Sequence, residues 1–376
     1  MQRDIEQIVK YFCIYGDFLR ARPYGSGHIN DTYKVSFSQG GTCVNYILQR
    51  INHYVFKNPP EMMENIERIT NHIRNKLKVI NGEDVSRQVL TVVKTRENTT
   101  FYYDSEGNYW RVYYYIERAT TFDSLDSLEK AFQAAQMFGD FLGMLSDLPP
   151  PLLHETIPDF HNAPVRLEEF ERILKSDRLN RAKDAAFEID FLSNNSELLT
   201  ILPGLVDKGK IPIRTTHNDT KINNVLFDDD SGKGICIIDL DTVMPGLSLY
   251  DFGDLVRTTL SSAAEDERDL SQVNIDLSRF EVIVKGYLAS AQRFINRTEI
   301  QHLVTGAMMM TLVIGTRFLG DFLSGDRYFK VARKEHNLDR CRVQFKLVQL
   351  MLTNEERLQQ IVAQARDNGS GENDGI

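Results

Sequence analysis

The stretch from Thr216 to Phe227 constrains this chain of 376 residues more than any other. It sets His217, Asp219, Lys221 and Asn224 within eight positions, with apolar runs on both sides. Such runs read as short buried strands, so the polar residues belong to a tight turn anchored by the core. A further apolar run, Ile237-Ile238, leads into Asp239-Leu240-Asp241, and Asp239 falls twenty positions after Asp219. A loop carrying a carboxylate, an ammonium and an amide, with another carboxylate at the end of the next strand, reads as a chemical site.

Phosphoryl transfer asks for such a set: an oriented nucleophile, a metal to neutralise polyphosphate, and positive donors for the moving group. Asp219 would take the proton of the acceptor hydroxyl. Asn224 and Asp239 offer the oxygen ligands that Mg²⁺ prefers. Asp241 points the same way if its segment stays extended, as a second ligand or merely a turn residue. Lys221 could place an ammonium on the γ-phosphate of ATP or simply be solvated, and His217 braces the loop. Asp251-Phe252-Gly253 spells a metal-binding tripeptide of kinases but lies 32 residues past Asp219. Asp251 is therefore read as a brace for the loop, set on the following helix.

The chain opens on a short amphipathic helix, with Ile5, Ile8, Val9 and Phe12 at helical spacing. Strand texture follows. Arg20 to Tyr24, the turn Gly25-Ser26-Gly27-His28-Ile29-Asn30, and Asp31 to Phe37 describe a loop whose amides could fold over phosphates. His28 and Asn30 at its tip could reach a substrate. Val44 to Ile51 is the next strand, and its Gln49 and Arg50 face opposite sides of the sheet. Arg50 is taken to supply charge to the nucleotide, with Glu64 or Glu67 as partner. A helix starts at Pro59-Pro60. Val89 to Val93, Thr100 to Tyr103 and Tyr109 to Tyr115 read as further strands. Tyr113 to Glu117 fits a hinge that meets adenine through its backbone, which makes Tyr115 and Glu117 candidates.

The pattern predicts an α+β chain in two lobes, and the spacing of His217, Asp219, Lys221 and Asn224 resembles the catalytic loop of the protein-kinase-like superfamily, which implies a protein-kinase-like fold. Residues 1–116 form a nucleotide-binding lobe, a five-stranded antiparallel sheet with one helix. Residues 117–366 form a larger, mostly helical catalytic and substrate-binding lobe, and 367–376 a disordered tail. Within the larger lobe, Ser127 to Leu145 and Arg166 to Leu192 read as helices, and helices return from Ser278 to Ala365.

Composition narrows the partners. A net charge of -9 argues against nucleic acid and against an anionic membrane surface. Cys13, Cys43, Cys236 and Cys341 lie far apart and fit reduced thiols in a cytoplasmic protein. The longest nearly apolar run, Leu303 to Thr316, has 14 residues and reads as a buried helix rather than a span. A monomer or weak homodimer acting on a small molecule is expected.

The segments His217 to Asn224, Ile238 to Gly246 and Tyr250 to Asp254 together resemble the aminoglycoside phosphotransferase family. With Tyr24 to Tyr33, Leu48 to Asn52 and Thr316 to Leu319, they are most similar to its N-acetylhexosamine 1-kinases. The resemblance runs from about residue 20 to 350. It implies ATP- and Mg²⁺-dependent phosphorylation of the anomeric hydroxyl of N-acetylglucosamine or N-acetylgalactosamine. It carries catalysis to Asp219, metal to Asn224 and Asp239, and sugar contacts to His28, Asp219 and Arg317, with Thr258 lining the acetamide side. Arg317 could instead form a surface ion pair with Asp321, its i+4 neighbour. Two other readings stand beside this one. One is a kinase of another small alcohol, such as a different sugar, an aminoglycoside or choline; the other is a nucleotide-binding module without catalysis. A cationic acceptor would need an acidic pocket, for which Glu265-Asp266-Glu267 is the dense cluster.

Overall fold

In a computed structural model of the chain, residues 4–25, 29–82, 84–124 and 127–370 are described, with backbone only for 81 and 368–370. Helix α1 (Ile5–Val9) starts at Asp4, whose carboxylate accepts from the Gln7 amide at 3.2 Å. Strands β1 (Asp17–Pro23), β2 (Asp31–Gln39) and β3 (Thr42–Ile51) follow, then helix α2 (Pro59–Asn81). Strands β4 (Val92–Val93), β5 (Tyr102–Tyr103) and β6 (Tyr109–Tyr114) complete the first lobe.

The sheet runs β1-β2-β3-β6-β4, with β5 also on β6, and every pairing is antiparallel. It holds six strands rather than five, because the segment before the glycine turn is a strand in its own right. Period-two alternation gives the sheet two different faces. Tyr46 and Leu48 of β3 pack with Phe12, Trp110 and Val112 in a small core under α1. Ile47 and Ile51 turn the other way, toward α2 and the main core. Gln49 therefore shares the α2 face and Arg50 the α1 face.

Residues 115–118 make the crossing between lobes, and β7 (Ala119–Thr120) already pairs with a strand of the second one. There α3 (Leu128–Met144) is capped by Ser127. Helices α4 (Ala163–Ser176), α5 (Ala186–Asn195) and α6 (Leu198–Asp207) follow. The single helix expected over 166–192 is thus two. Asp177 ends the first at φ 26°, and its carboxylate accepts from the Arg181 amide at 2.9 Å. Next come β8 (Arg214–Thr216), β9 (Val225–Asp228), β10 (Gly234–Ile237) and β11 (Met244–Gly246). Helices α7 (Ser248–Thr259), α8 (Leu277–Ala291), α9 (Arg297–Gln301), α10 (Leu303–Ser324), α11 (His336–Thr353) and α12 (Glu355–Ser370) finish the lobe.

By length and composition α10 could cross a membrane, yet 94% of its apolar window is buried in the second lobe, where it packs on α4, α7 and α11. The last helix continues to Ser370, beyond the point where the sequence reading ends order; residues 371–376 lie outside the described ones. All four cysteines are free thiols.

Candidate active site

The loop after β8 is shaped by close backbone approach. β8 pairs with β11, and a Cβ on Gly246 would lie 2.2 Å from Thr216 Oγ1 and 2.6 Å from Asn218 Oδ1. Only glycine leaves room for Asn218 to fold back in a left-handed conformation (φ 62°) and give its Nδ2 to Thr242 O at 3.0 Å. Asp251, in the first turn of α7, holds the loop from below. Its carboxylate accepts from the His217 amide at 2.9 Å and the Asn218 amide at 2.7 Å, and its carbonyl accepts from Thr220 Oγ1 at 2.5 Å. The rest of that tripeptide serves packing. Phe252 is fully buried, and a Cβ on Gly253 would stand 2.5 Å from the Gly306 carbonyl of α10.

His217 is buried between Phe138 and Phe141. Its Nδ1 accepts from the Asp219 amide at 3.3 Å, so the proton sits on Nε2, 3.0 Å from Ile238 O. Burial holds its pKa below the usual value, in keeping with a neutral brace.

Asp219 stands at the tip. Lys221 Nζ lies 2.9 Å from its Oδ1, while Asn224 Nδ2 donates to its carbonyl at 2.8 Å and its Oδ2 at 3.3 Å. Burial pushes the Asp219 carboxyl up, but Lys221, together with His217 and Arg257, leaves the group below the usual carboxylate range. The same pairing raises Lys221. An ionised Asp219 can take a proton from a hydroxyl brought to it.

Asp239 follows β10 in a left-handed conformation (φ 59°, ψ 59°) that turns the chain into one helical turn, Leu240–Thr242. Its carboxylate reaches solvent, yet it lies deep among protein groups. Burial, then the neighbouring Asp241 and Asp219, push it up to about 7. Among the described residues nothing hydrogen-bonds it. Asn224 directs its N–H to Asp219, which leaves its Oδ1 for another partner. One exposed, crowded carboxylate and the amide oxygen of the buried Asn224 are hard oxygen donors of the kind that would hold Mg²⁺. No cluster of three or more His, Cys, Asp or Glu with metal-binding geometry occurs among the described residues, and a site of this kind needs none.

Asp241 does not join that donor set. Its Oδ1 accepts from Arg111 NH1 at 2.5 Å, and its Oδ2 accepts from Arg111 NH2 at 3.0 Å and Asn30 Nδ2 at 2.8 Å. Both side chains are buried, at 1% and 3% exposure. The segment does not stay extended, because the left-handed Asp239 breaks the strand. Asn30 is likewise engaged, its Oδ1 accepting from the Asn52 amide at 2.9 Å.

Arg50 is the second correction. It lies on the α1 face, bound to Asp31 at 2.7 Å and 2.8 Å and to Asn108 Oδ1 at 3.3 Å, away from the cleft. Glu64 and Glu67 are not its partners; they pair with Arg68 and Lys94. The cation on the α2 face comes instead from β6. Arg111 sits opposite Gln49, and its Nε donates to Gln49 Oε1 at 2.9 Å.

At the crossing, the Tyr115 amide donates to Asn45 O at 3.2 Å, and Lys34 Nζ sits 3.4 Å from the Tyr115 ring centre. Tyr24, just before Gly25 (φ 79°), brings its hydroxyl within 3.4 Å of the Tyr115 hydroxyl. Glu117 accepts from Asn45 Nδ2 at 2.6 Å. Ser26, Gly27 and His28 lie outside the described residues.

Toward α10, Arg317 makes no ion pair with Asp321. That carboxylate takes the amides of Arg327, Tyr328 and Phe329 instead. The Arg317 guanidinium lies against three rings, 5.1 Å from Phe160 and 5.5 Å from both Tyr328 and Phe329. Next to it His161 is buried, its Nε2 donating to Asn218 O at 2.8 Å, and burial pushes it down to about 4. Thr258 gives its hydroxyl to the carbonyls of Asp254 and Leu255, at 3.0 Å and 3.1 Å. Sequence reasoning missed Arg111, His161 and Phe160. For Arg111 there was a signal, a cation amid Tyr109-Trp110-Val112-Tyr113, which must find a carboxylate once the strand is buried.

The structure resembles a microcompartment-associated aminopropanol kinase (TM-score 0.64, 15% identity, covering 94% of this chain and 97% of that one). It also resembles a choline/ethanolamine kinase family protein from Mesorhizobium loti (0.56, 16%, 95% and 98%). A third likeness is to spectinomycin phosphotransferase in complex with ADP and spectinomycin (0.52, 13%, 91% and 94%). At these identities the likeness speaks to the protein-kinase-like fold. Membership rests on the sequence, whose residues 20–280, well over half of the chain, match one family model. The chain belongs to the phosphotransferase enzyme family.

Proposed function

We propose that this small-molecule phosphotransferase moves the γ-phosphoryl group of ATP to the anomeric hydroxyl of an N-acetylhexosamine, N-acetylglucosamine or N-acetylgalactosamine. Asp219 orients the hydroxyl and takes its proton. Lys221, paired with Asp219, keeps that carboxylate ionised and adds positive charge beside the moving group. Asn224 and Asp239 would hold Mg²⁺, which when bound neutralises polyphosphate charge. The first lobe, residues 1–116, covers the nucleotide, with Tyr115 and Glu117 at the adenine end; the second supplies the chemistry and the acceptor site.

The observation that carries the choice of acceptor is Arg317 in its aromatic setting. A ring of Phe160, Tyr328 and Phe329 is what a quaternary ammonium would seek, and here a guanidinium already fills it. Two of the three carboxylates of the acidic cluster beyond are paired within the protein: Glu265 with Arg257, and Asp266 with Arg333 and His336. A cationic acceptor would meet repulsion, whereas a neutral sugar can use Arg317 as a hydrogen-bond donor. The second reading, an amino alcohol acceptor, is favoured by the names of the similar kinases.

Incubation with ATP and Mg²⁺ and a panel of hexosamines, hexoses, choline, ethanolamine and an aminoglycoside, followed by ³¹P NMR, separates these readings. A sugar 1-phosphate is expected. Turnover of choline or ethanolamine with no hexose product would replace this acceptor class, and nucleotide binding without transfer to any acceptor would leave a binding module.

A further inference from the structure

We infer that Arg111 is a positioning residue for the metal side of this site, holding the Asp239–Asp241 turn against the underside of the sheet. The link joins residues 130 positions apart and lies out of water on both sides. It is also branched. Arg111 Nε reaches Gln49 Oε1 at 2.9 Å, and Gln49 Nε2 reaches Thr32 Oγ1 at 3.0 Å. From the other carboxylate oxygen, Asn30 leads to the Asn52 amide. Asp241 is thereby tied to β2, β3 and β6 and to the segment leaving the glycine turn.

Asp239 needs such a support. It lies two residues before Asp241 in a left-handed conformation, uncommon among non-glycine residues and best tolerated by Asn and Asp. No described side chain bonds its carboxylate, so the direction of that carboxylate is set by its backbone. The backbone in turn is fixed at Asp241 by Arg111, and at Thr242 by the bond from its Oγ1 to His217 O at 2.8 Å. Kinases commonly join a strand lysine to a helix glutamate at this level. Here the strand position is Gln49, and α2 presents Met63, whose sulfur lies 3.8 Å from Arg111 NH1. The cation arrives from β6 and its anion from the metal turn itself, so one ion pair links the lobes and sets a ligand. A buried pair adds little net stability over an apolar one of equal size, whereas its fork geometry fixes direction.

This inference rests on the metal part of the proposed function and not on the acceptor. The test is binding of ADP, titrated with and without Mg²⁺ by calorimetry, in the wild type and in Arg111→Met/Asp241→Leu, which leaves no stranded charge. The tightening of ADP binding by Mg²⁺ should fall about tenfold. Metal-free ADP binding should change by less than about twofold, with a melting temperature close to wild type. Unchanged Mg²⁺ dependence in the folded variant would overturn the inference, as would equal losses with and without metal. Should the double variant not fold, Arg111→Lys replaces the fork by a point charge, and Mg²⁺ dependence identical to wild type there would also overturn it. A wild type that phosphorylates no hexosamine would sink the acceptor assignment and leave this readout untouched.

Discussion

The two walls of the cleft are built in different ways. On the helical side, the loop from His217 to Asn224 is held by contacts to residues 24 to 34 positions further along, most of them to backbone: Asp251 takes two of its amides, Asn218 Nδ2 donates to Thr242 O, and Thr242 Oγ1 donates to His217 O. On the sheet side, the decisive contact is between side chains, Arg111 and Asp241, from distant parts of the chain. The first kind of wall is specified by a run of residues, the second only once two lobes meet. A backbone-held loop keeps its shape whatever its side chains do chemically, while a side-chain bridge can be removed without dissolving either lobe.

Breaking the helical wall at its tip should have the largest effect. Asp219→Asn should lower kcat about 10³-fold in a coupled ADP-release assay while ADP affinity stays within about twofold. A drop of less than about tenfold would move the chemistry away from this wall. The next largest effect is on the brace. Asp251→Ala strands two buried amides at about 1–3 kcal/mol each, so chemical denaturation should register a loss of about 4 kcal/mol. An unchanged midpoint would mean that the loop does not depend on α7.

The third prediction concerns pH. His161 is buried neutral and held near 4, whereas in the unfolded chain it titrates near the ordinary histidine value. As pH falls, the unfolded state gains the proton first. Stability is therefore intact above about 6.5 and is lost on the way down to about 4, by about 3 kcal/mol from this group, with His217 adding in the same direction. His161→Gln, which keeps an N–H for Asn218 O, should flatten that slope in urea titrations across the window. The smallest effect sharpens the sheet side: Arg50→Met should change ADP affinity by less than about twofold, because that cation faces away from the cleft. A large loss would restore Arg50 to the nucleotide.

This contrast also explains what could be read from the sequence. The strand after the glycine turn, the Ser127-capped helix and the brace role of Asp251 follow from periodicity, capping and spacing. Alternation correctly separates Gln49 from Arg50 but cannot say which face meets α2; that depends on where Phe12 and Trp110 pack. An extended segment would set Asp241 beside Asp239, and one left-handed residue turns it away. The break between α4 and α5 is of the same kind: Asp177 stops a run whose apolar spacing would have allowed it to continue.

The Arg111–Asp241 bridge also bears on motion. Pulling the two groups apart would leave each charge stranded away from water, at about 3–5 kcal/mol. The bridge and the crossing at residues 115–118 are thus two fixed points between the lobes, and lobe motion that keeps both intact turns about the line that joins them. Such motion would leave the turn that carries Asp239 in place, because Asp241 stays bound to Arg111.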